Sequence, residues 1–90
     1  MDTGSQFLAD QLERLSRLPL TTADDVAAWD HQAAQLQTEL EQRFPRLEFP
    51  HAIHHFLTDS DIRARDAGYR ERQERFIAEY VARVRQEHAA

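Results

Sequence analysis

The sequence predicts an all-α protein: a small helical bundle of three main helices, with a short elbow helix before a long last helix. Apolar residues recur every three or four positions in three separate segments, which is the period of an amphipathic helix. Prolines at positions 19, 45 and 50 divide these segments, and proline does not continue a helix. Apolar alternation never persists through four positions, so we expect no strand. The 90 residues are enough for one domain, residues 1–90.

The first predicted helix begins with Ser5 as its N-cap, since a serine oxygen accepts a hydrogen bond from an unpaired N–H of the first turn. Pro19 disfavours helical geometry in the residue before it, so we expect the helix to end near Leu18. Its apolar face is formed by residues at helical spacing, Phe7, Leu8, Leu12 and Leu15.

The second predicted helix has the strongest start signal in the chain. Thr22 supplies a hydroxyl cap, and Asp24 and Asp25 place two carboxylates at the positive end of the helix dipole. Pro45 ends this helix. The apolar residues between these signals are spaced alternately three and four apart, as in a coiled-coil seam: Val26, Trp29, Ala33, Leu36 and Leu40.

A stiff connector, residues 44–50, follows the second helix and leads into the elbow, which we define as residues 50–66. Two prolines five residues apart favour an ordered, extended link. Pro50 suits the first position of a short elbow helix. The apolar residues of that helix are Ile53, Phe56 and Leu57.

The last predicted helix begins with Thr58 as its cap and Asp61 three residues later, and it extends to about Glu87. Gly68 inside this helix costs about 1 kcal/mol relative to alanine. Either a neighbouring backbone lies close to Gly68, or the helix breaks near Asp66 and begins again. We expect the second and last helices to form an antiparallel pair, with the first helix packed across them. The apolar stripe of the last helix is Ile62, Tyr69, Phe76, Ile77, Tyr80, Val81 and Val84.

The charge of the chain argues against nucleic-acid binding. Its formal net charge is −5, whereas phosphate binding needs clustered, uncompensated cations. No apolar run approaches the roughly 18 residues of a membrane span, and the N-terminal residues lack the pattern of a signal peptide. We therefore expect a cytoplasmic protein that binds neither nucleic acid nor membranes. The absence of cysteine excludes disulfides and thiolate metal sites.

The elbow contains a cluster of residues with the chemistry of a metal site. His51 shares a helix face with His54 and with His55, because residues three and four apart lie on one face. Asp59 or Asp61 would add a carboxylate, and two histidines with a carboxylate bind divalent metals such as zinc. The cluster would also make an interface sensitive to mild acid, since unperturbed histidine titrates near pH 6.5. A simpler interpretation places the histidines in solvent and uses the aspartates as helix caps.

Acids accompany the arginines of the last predicted helix. An acid precedes five of them by four residues, in the orientation that stabilises a helix. We therefore interpret this surface as a self-neutralised, solvated helix face. The pairs are Asp59–Arg63, Asp61–Arg65, Asp66–Arg70, Glu71–Arg75 and Glu79–Arg83.

No catalytic pattern is evident, and we expect that the protein is not an enzyme. The serines at positions 5, 16 and 60 lie in predicted caps or helices, not in the strained turn that exposes a nucleophile. Two glycines, Gly4 and Gly68, cannot build a phosphate-binding loop.

These observations predict a small interaction module that binds a protein partner or itself. A chain of this length buries only about 60–65% of its surface, so we expect a homodimer that completes the core through the long last helix. One alternative is a divalent-metal-binding or pH-responsive protein that uses the elbow. Another is a regulator whose acidic residues 1–50, with nine acids against four arginines, steer a basic partner. The residues expected in the core or interface are Val26, Trp29, Leu36, Leu40, Ile62, Tyr69, Phe76 and Tyr80.

Overall fold

Five helices follow one another in the part of the chain that the computed structural model describes, residues 3–89. They are α1 (Thr3–Ser16), α2 (Ala23–Arg43), α3 (His51–Thr58), α4 (Ser60–Arg65) and α5 (Ala67–Ala89). No strand lies within residues 3–89. The prediction of a small all-α bundle is therefore confirmed. Among these five helices, none is both long enough and apolar enough to cross a membrane.

The first two helices begin in different ways. α1 begins at Thr3, so Ser5, expected as its N-cap, lies inside the helix. α2 begins with the predicted cap: the Thr22 hydroxyl accepts a hydrogen bond from the N–H of Asp25 at 3.1 Å. In return, Oδ2 of Asp25 accepts from the N–H groups of Thr21 and Thr22, at 3.0 and 3.2 Å. These bonds, led by the one from the Thr21 backbone, lower the pKa of Asp25.

A break at Asp66 divides the predicted last helix. Asp66 has extended backbone angles, φ −127° and ψ 103°, and its carboxylate accepts a hydrogen bond from the N–H of Tyr69 at 3.0 Å. The acid thus satisfies a donor in the first turn of α5. Gly68 lies in that turn, where the nearest atoms to an added Cβ would be side-chain atoms of Asp66 and Arg72, at 3.4 and 3.5 Å. Of the two explanations for the glycine, the helix break is confirmed.

A second interruption, at Asp59, separates α3 from α4. Thr58 was expected to cap the last helix, but it is the final residue of α3, and its hydroxyl donates to the carbonyl of His54 at 2.9 Å. The predicted cap is wrong because a threonine hydroxyl can bond backward to the carbonyl four residues earlier instead of forward to an N–H. Interrupted at both ends, α4 contacts both α2 and α5.

The helices do not pack in the predicted order. α5 packs mainly against α1, while α2 contacts α1, α3 and α4. Since α2 and α5 do not form a closely packed pair, the predicted antiparallel pairing of the second and last helices is wrong. Apolar periodicity identifies the buried face of a helix but not the helix that covers it. The core residues are Leu8, Ala9, Leu12, Leu15, Leu20, Trp29, Ala33, Leu36, Leu40, Ile53, Phe56, Leu57, Ile77, Tyr80, Val81 and Val84.

The residues expected in the core or interface divide into two groups. Four are buried: Trp29, Leu36, Leu40 and Tyr80. The other four are half-buried: Val26, Ile62, Tyr69 and Phe76. Trp29 also links two helices, because its Nε1 donates a hydrogen bond to the backbone carbonyl of Leu15, near the end of α1, at 3.0 Å.

Candidate functional site

The most unusual side chain of the elbow belongs to Arg63 in α4. Only 2% of its surface is exposed, although arginine is rarely fully buried without an ionic partner. Its guanidinium lies over the ring of Trp29, 4.5 Å from the centroid, and over the ring of Phe56, at 4.2 Å. The aromatic faces attract the cation and replace part of its lost hydration. Helices α2, α3 and α4 thus meet around one charged group.

Two hydrogen bonds hold the Arg63 guanidinium. Nη1 donates to the backbone carbonyl of Phe56 at 2.6 Å and to Oε1 of Gln73 at 2.7 Å. Nη2 is buried and has no hydrogen-bond partner among the described residues. Burial lowers the pKa of Arg63 to about 10, although the charges of Asp59 and Glu74 oppose the shift. At neutral pH the group is therefore a buried cation with an unused donor.

A chain of polar side chains connects Arg63 to the surface. Nε2 of Gln73 donates to the hydroxyl of Tyr69 at 3.0 Å, and that hydroxyl donates to Oδ2 of Asp59 at 2.5 Å. The bond to Asp59, followed by burial, raises the pKa of Tyr69. Nδ1 of His55 lies 3.6 Å from the same carboxylate oxygen. One network thus extends from a buried arginine to an exposed histidine.

The interpretation of Arg63 as part of a solvated face, paired with Asp59, is wrong. The break at Asp66 separates α4 from the arginines that follow, and the buried side of α4 consists of Ser60 and Arg63. The sequence of α4 does indicate that polar side chains face the core. The six residues of α4 include a single large apolar side chain, Ile62, which is too little to cover a core-facing side.

Ser60 makes a second polar contact between α4 and α2. Only 1% of Ser60 is exposed, and its hydroxyl donates a hydrogen bond to Oδ1 of Asp30. A buried hydroxyl needs such a partner, since an unpaired one would lose its hydration without replacement. The contact holds the start of α4 against α2.

The three elbow histidines are exposed on α3. The ring centroid of His51 lies 4.7 Å from that of His55 and 5.8 Å from that of His54. The ring of His54 also lies 4.7 Å from the ring of Phe49 in the connector, at an angle of 34°. The structure therefore brings the predicted histidines together at the surface, with one of them against an aromatic side chain.

The two aspartates of the predicted metal site make other contacts. Asp59 accepts the hydrogen bond from Tyr69, and Asp61 lies on the surface, 3.9 Å from Nη2 of Arg65. Within the described residues, no group of three or more histidine, aspartate or glutamate side chains is arranged to hold a metal ion. A metal ion bound by the elbow histidines and these aspartates stays a prediction.

The surface of α5 is rich in ion pairs. Arg75 lies 2.9 Å from Glu71, as the spacing predicts. Arg70 pairs with Glu74 at 3.3 Å instead of with Asp66, whose carboxylate bonds to the backbone at the start of α5. Exposed pairs of this kind contribute at most about 1 kcal/mol each.

A second candidate site surrounds the connector. We define the connector surface as residues 44–49 with the two depressions beside them. One depression is mostly apolar and is lined by Gln37, Leu40, Glu41, Phe44, Pro45, Leu47, Phe49, His54 and Leu57. The other carries more charge and is lined by Gly4, Arg43, Phe44, Pro45, Arg46, Leu47 and Glu48.

The connector surface is tied to α1 by aromatic contacts. The ring centroids of Phe7 and Phe44 are 5.5 Å apart. The guanidinium of Arg43 lies 4.7 Å from the first centroid and 5.1 Å from the second. Phe44, Leu47 and Phe49 pack against the core but remain partly exposed. The connector is thus an ordered surface with accessible aromatic and aliphatic groups.

Comparison with known proteins adds no family to this description. No protein-family model, no curated protein and no solved structure matches the chain.

Proposed function

We propose that this chain is a small, cytoplasmic, non-enzymatic interaction module that forms a homodimer through the connector surface. The observation that carries the proposal is the pair of depressions that share the apolar connector as a common wall. Phe44, Pro45 and Leu47 line both of them. Partly exposed aromatic residues and arginine are enriched in protein interfaces.

The dimer surface proposed here differs from the one expected from the sequence. The apolar stripe of the last helix was expected to face a second copy, but its central residues are buried within the chain. Ile77 is 1% exposed and Val81 is 6% exposed, because α1 packs along α5. A dimer that left this core intact would need another apolar surface.

The connector surface has the charge distribution of a self-complementary interface. A twofold dimer uses the same patch on both subunits, so the patch must carry groups that attract their own copies. The linings of the two depressions include two arginines, Arg43 and Arg46, and two glutamates, Glu41 and Glu48, together with the apolar residues of the connector. In such a dimer the connector of one copy fills a depression of the other, and arginines of one copy face glutamates of its partner. A stable interface needs about 800 Å² from each partner, roughly one seventh of the 5856 Å² that the chain exposes.

The test is the oligomeric state of the full chain, measured by light scattering after size exclusion over a range of protein concentrations. We expect a dimer at tens of micromolar. Arg46→Glu, a change at an exposed residue, should weaken dimerisation by about tenfold or more, and adding Glu48→Arg should restore it. The matched control is Arg65→Glu, an exposed arginine on α4.

Two results would contradict the proposal. A wild-type chain that stays monomeric at these concentrations removes the homodimer. Equal weakening by Arg46→Glu and Arg65→Glu would show that net charge, and not the connector surface, controls association. Circular dichroism of each variant verifies that the helices are intact.

Divalent-metal binding at the elbow is the second candidate function. It is supported by the short distances from the His51 ring to the rings of His54 and His55. The test is elemental mass spectrometry of tag-free protein after exposure to zinc and desalting. Stoichiometric zinc that disappears in His54→Ala would support the metal site, and an absence of retained metal would exclude it. The related pH-responsive function fails if the oligomeric state is the same at about pH 5.5 and pH 8.

A further inference from the structure

A third depression lies between α3 and α5, away from the connector surface. Its volume is about 260 Å³, just below the range of roughly 300 to 1,000 Å³ that is usual for small-molecule sites. The apolar part of its lining is Ala52, Phe56 and Phe76. The polar part is His55, Tyr69, Arg72 and Gln73. An apolar wall with a few convergent polar groups is the usual composition of a ligand site.

The one permanent charge among the lining residues is positive. Arg72 is a permanent cation, and no carboxylate is among the lining residues. Arg72 lies 5.8 Å from the centroid of the Tyr69 ring and forms no ion pair with any described residue. The nearby carboxylate of Asp59 is already bonded to the Tyr69 hydroxyl and lies beside His55. An anionic group in this depression would therefore meet the unpaired guanidinium of Arg72, with Asp59 outside the lining and engaged by Tyr69.

A second cation, the buried Arg63, lies behind the wall of the depression. Two lining residues, Phe56 and Gln73, hold Nη1 of Arg63 by hydrogen bonds. The positive charge of Arg63 has no ion pair among the described residues, and its Nη2 lacks a partner there. Charges act over longer distances in a region of low dielectric constant than in water. Arg63 therefore increases the positive potential of the depression without being exposed in it.

We infer that the depression between α3 and α5 binds a small organic acid: a carboxylate attached to an aromatic or aliphatic body. The carboxylate pairs with the guanidinium of Arg72, whose planar fork matches the two carboxylate oxygens. His55 and the amide of Gln73 are further donors beside it. The apolar body lies against Phe56 and Phe76, where stacking of an aromatic ring is favourable.

The test is a titration of the isotope-labelled full chain with phenylacetate, followed by amide resonances in two-dimensional NMR. We expect saturable shifts confined to α3 and α5, with a dissociation constant of roughly 1 mM, as befits a ligand of this size. Benzyl alcohol serves as the uncharged probe and should bind at least about tenfold more weakly.

A pair of matched variants tests whether Arg72 binds the carboxylate of the ligand. Arg72→Gln should weaken phenylacetate binding by about tenfold, while Arg75→Gln, one turn along the same helix, should leave it within about twofold. Both side chains are exposed, so neither change should disturb the fold. The inference is overturned if no saturable shift occurs, if benzyl alcohol binds as well as phenylacetate, or if the two variants behave alike. None of these outcomes depends on whether the chain dimerises.

Discussion

Arg63 is a cation that the fold holds in an unfavourable environment. Removing a guanidinium from water costs several kcal/mol, and this cost is recovered only in part by stacking and hydrogen bonds. Here the guanidinium lies against the rings of Trp29 and Phe56, and the Phe56 carbonyl and the Gln73 amide oxygen accept hydrogen bonds from one of its nitrogens. A buried polar group that is not fully satisfied is a frequent sign of function, because selection for stability alone would replace it.

Substitutions at Arg63 should separate the effect of its volume from that of its charge. Arg63→Ala removes the stacking against Trp29 and Phe56, leaves a cavity and strips a donor from the Phe56 carbonyl, so we expect the free energy of unfolding to fall by about 3 kcal/mol. Arg63→Met keeps much of the volume without the buried charge and should cost about 1 kcal/mol. Urea unfolding followed by circular dichroism measures both values. Equal losses for the two variants would contradict this division.

At the scale of the helices, the starts and ends of the elements control the shape of the elbow. The cap at Thr22 fixes where α2 begins, and the aspartates at positions 59 and 66 mark where one helix gives way to the next. The interruptions at these two aspartates divide residues 51–89 into three helices instead of the two expected. The division in turn places Arg63 on the inside of α4.

The cap of α2 should give stability a defined dependence on pH. Hydrogen bonds from Thr21 and Thr22 lower the folded-state pKa of Asp25 below its ordinary value of 3.8. A carboxylate of this kind contributes stability that is fully present above the unfolded pKa and is lost as pH falls through the folded pKa. We therefore expect Asp25→Asn to lower the thermal midpoint at about pH 7 and to have little effect at about pH 2.

The control for this prediction is Asp24→Asn, since Asp24 lies in the same first turn but makes no hydrogen bond to the cap. It shares the interaction with the helix dipole, so a smaller loss is expected from it at neutral pH. If both variants lower the thermal midpoint by the same amount, the interaction with the helix dipole, and not the cap, accounts for the loss of stability. Differential scanning calorimetry at the two pH values gives both comparisons.

On the scale of the whole molecule, α1 and α5 form the main packing contact. Ile77→Ala in α5 should lower the free energy of unfolding by about 3 kcal/mol, since it deletes three buried carbon atoms and leaves a cavity. Val26→Ala in α2, where the side chain is only half-buried, should cost about 1 kcal/mol. Denaturant unfolding of both variants measures the difference. A larger loss for Val26→Ala would contradict this ranking.

The sequence predicts those features of the molecule that depend on neighbouring residues. The capping residues of α2, the prolines of the connector and the apolar faces act within one or two turns of a helix, so their effects can be derived locally. Which helix packs against which cannot be derived locally, because many apolar faces fit one another. The same limit explains the error at Arg63. The sequence spacing pairs it with Asp59 on a helix surface, but tertiary contacts bury the arginine. The histidines were found by their spacing, whereas the depression between α3 and α5 exists only after the helices pack.

The position of Trp29 makes the elbow observable with light. It is the only tryptophan of the chain, and it lies at the point where the Arg63 guanidinium and the Phe56 ring meet, 4.5 and 5.3 Å from its own ring. Any change that moves α4 alters the charge and the contacts around the indole. Its emission wavelength and intensity therefore report on the arrangement of the elbow without a label, even when the helix content of the protein stays constant.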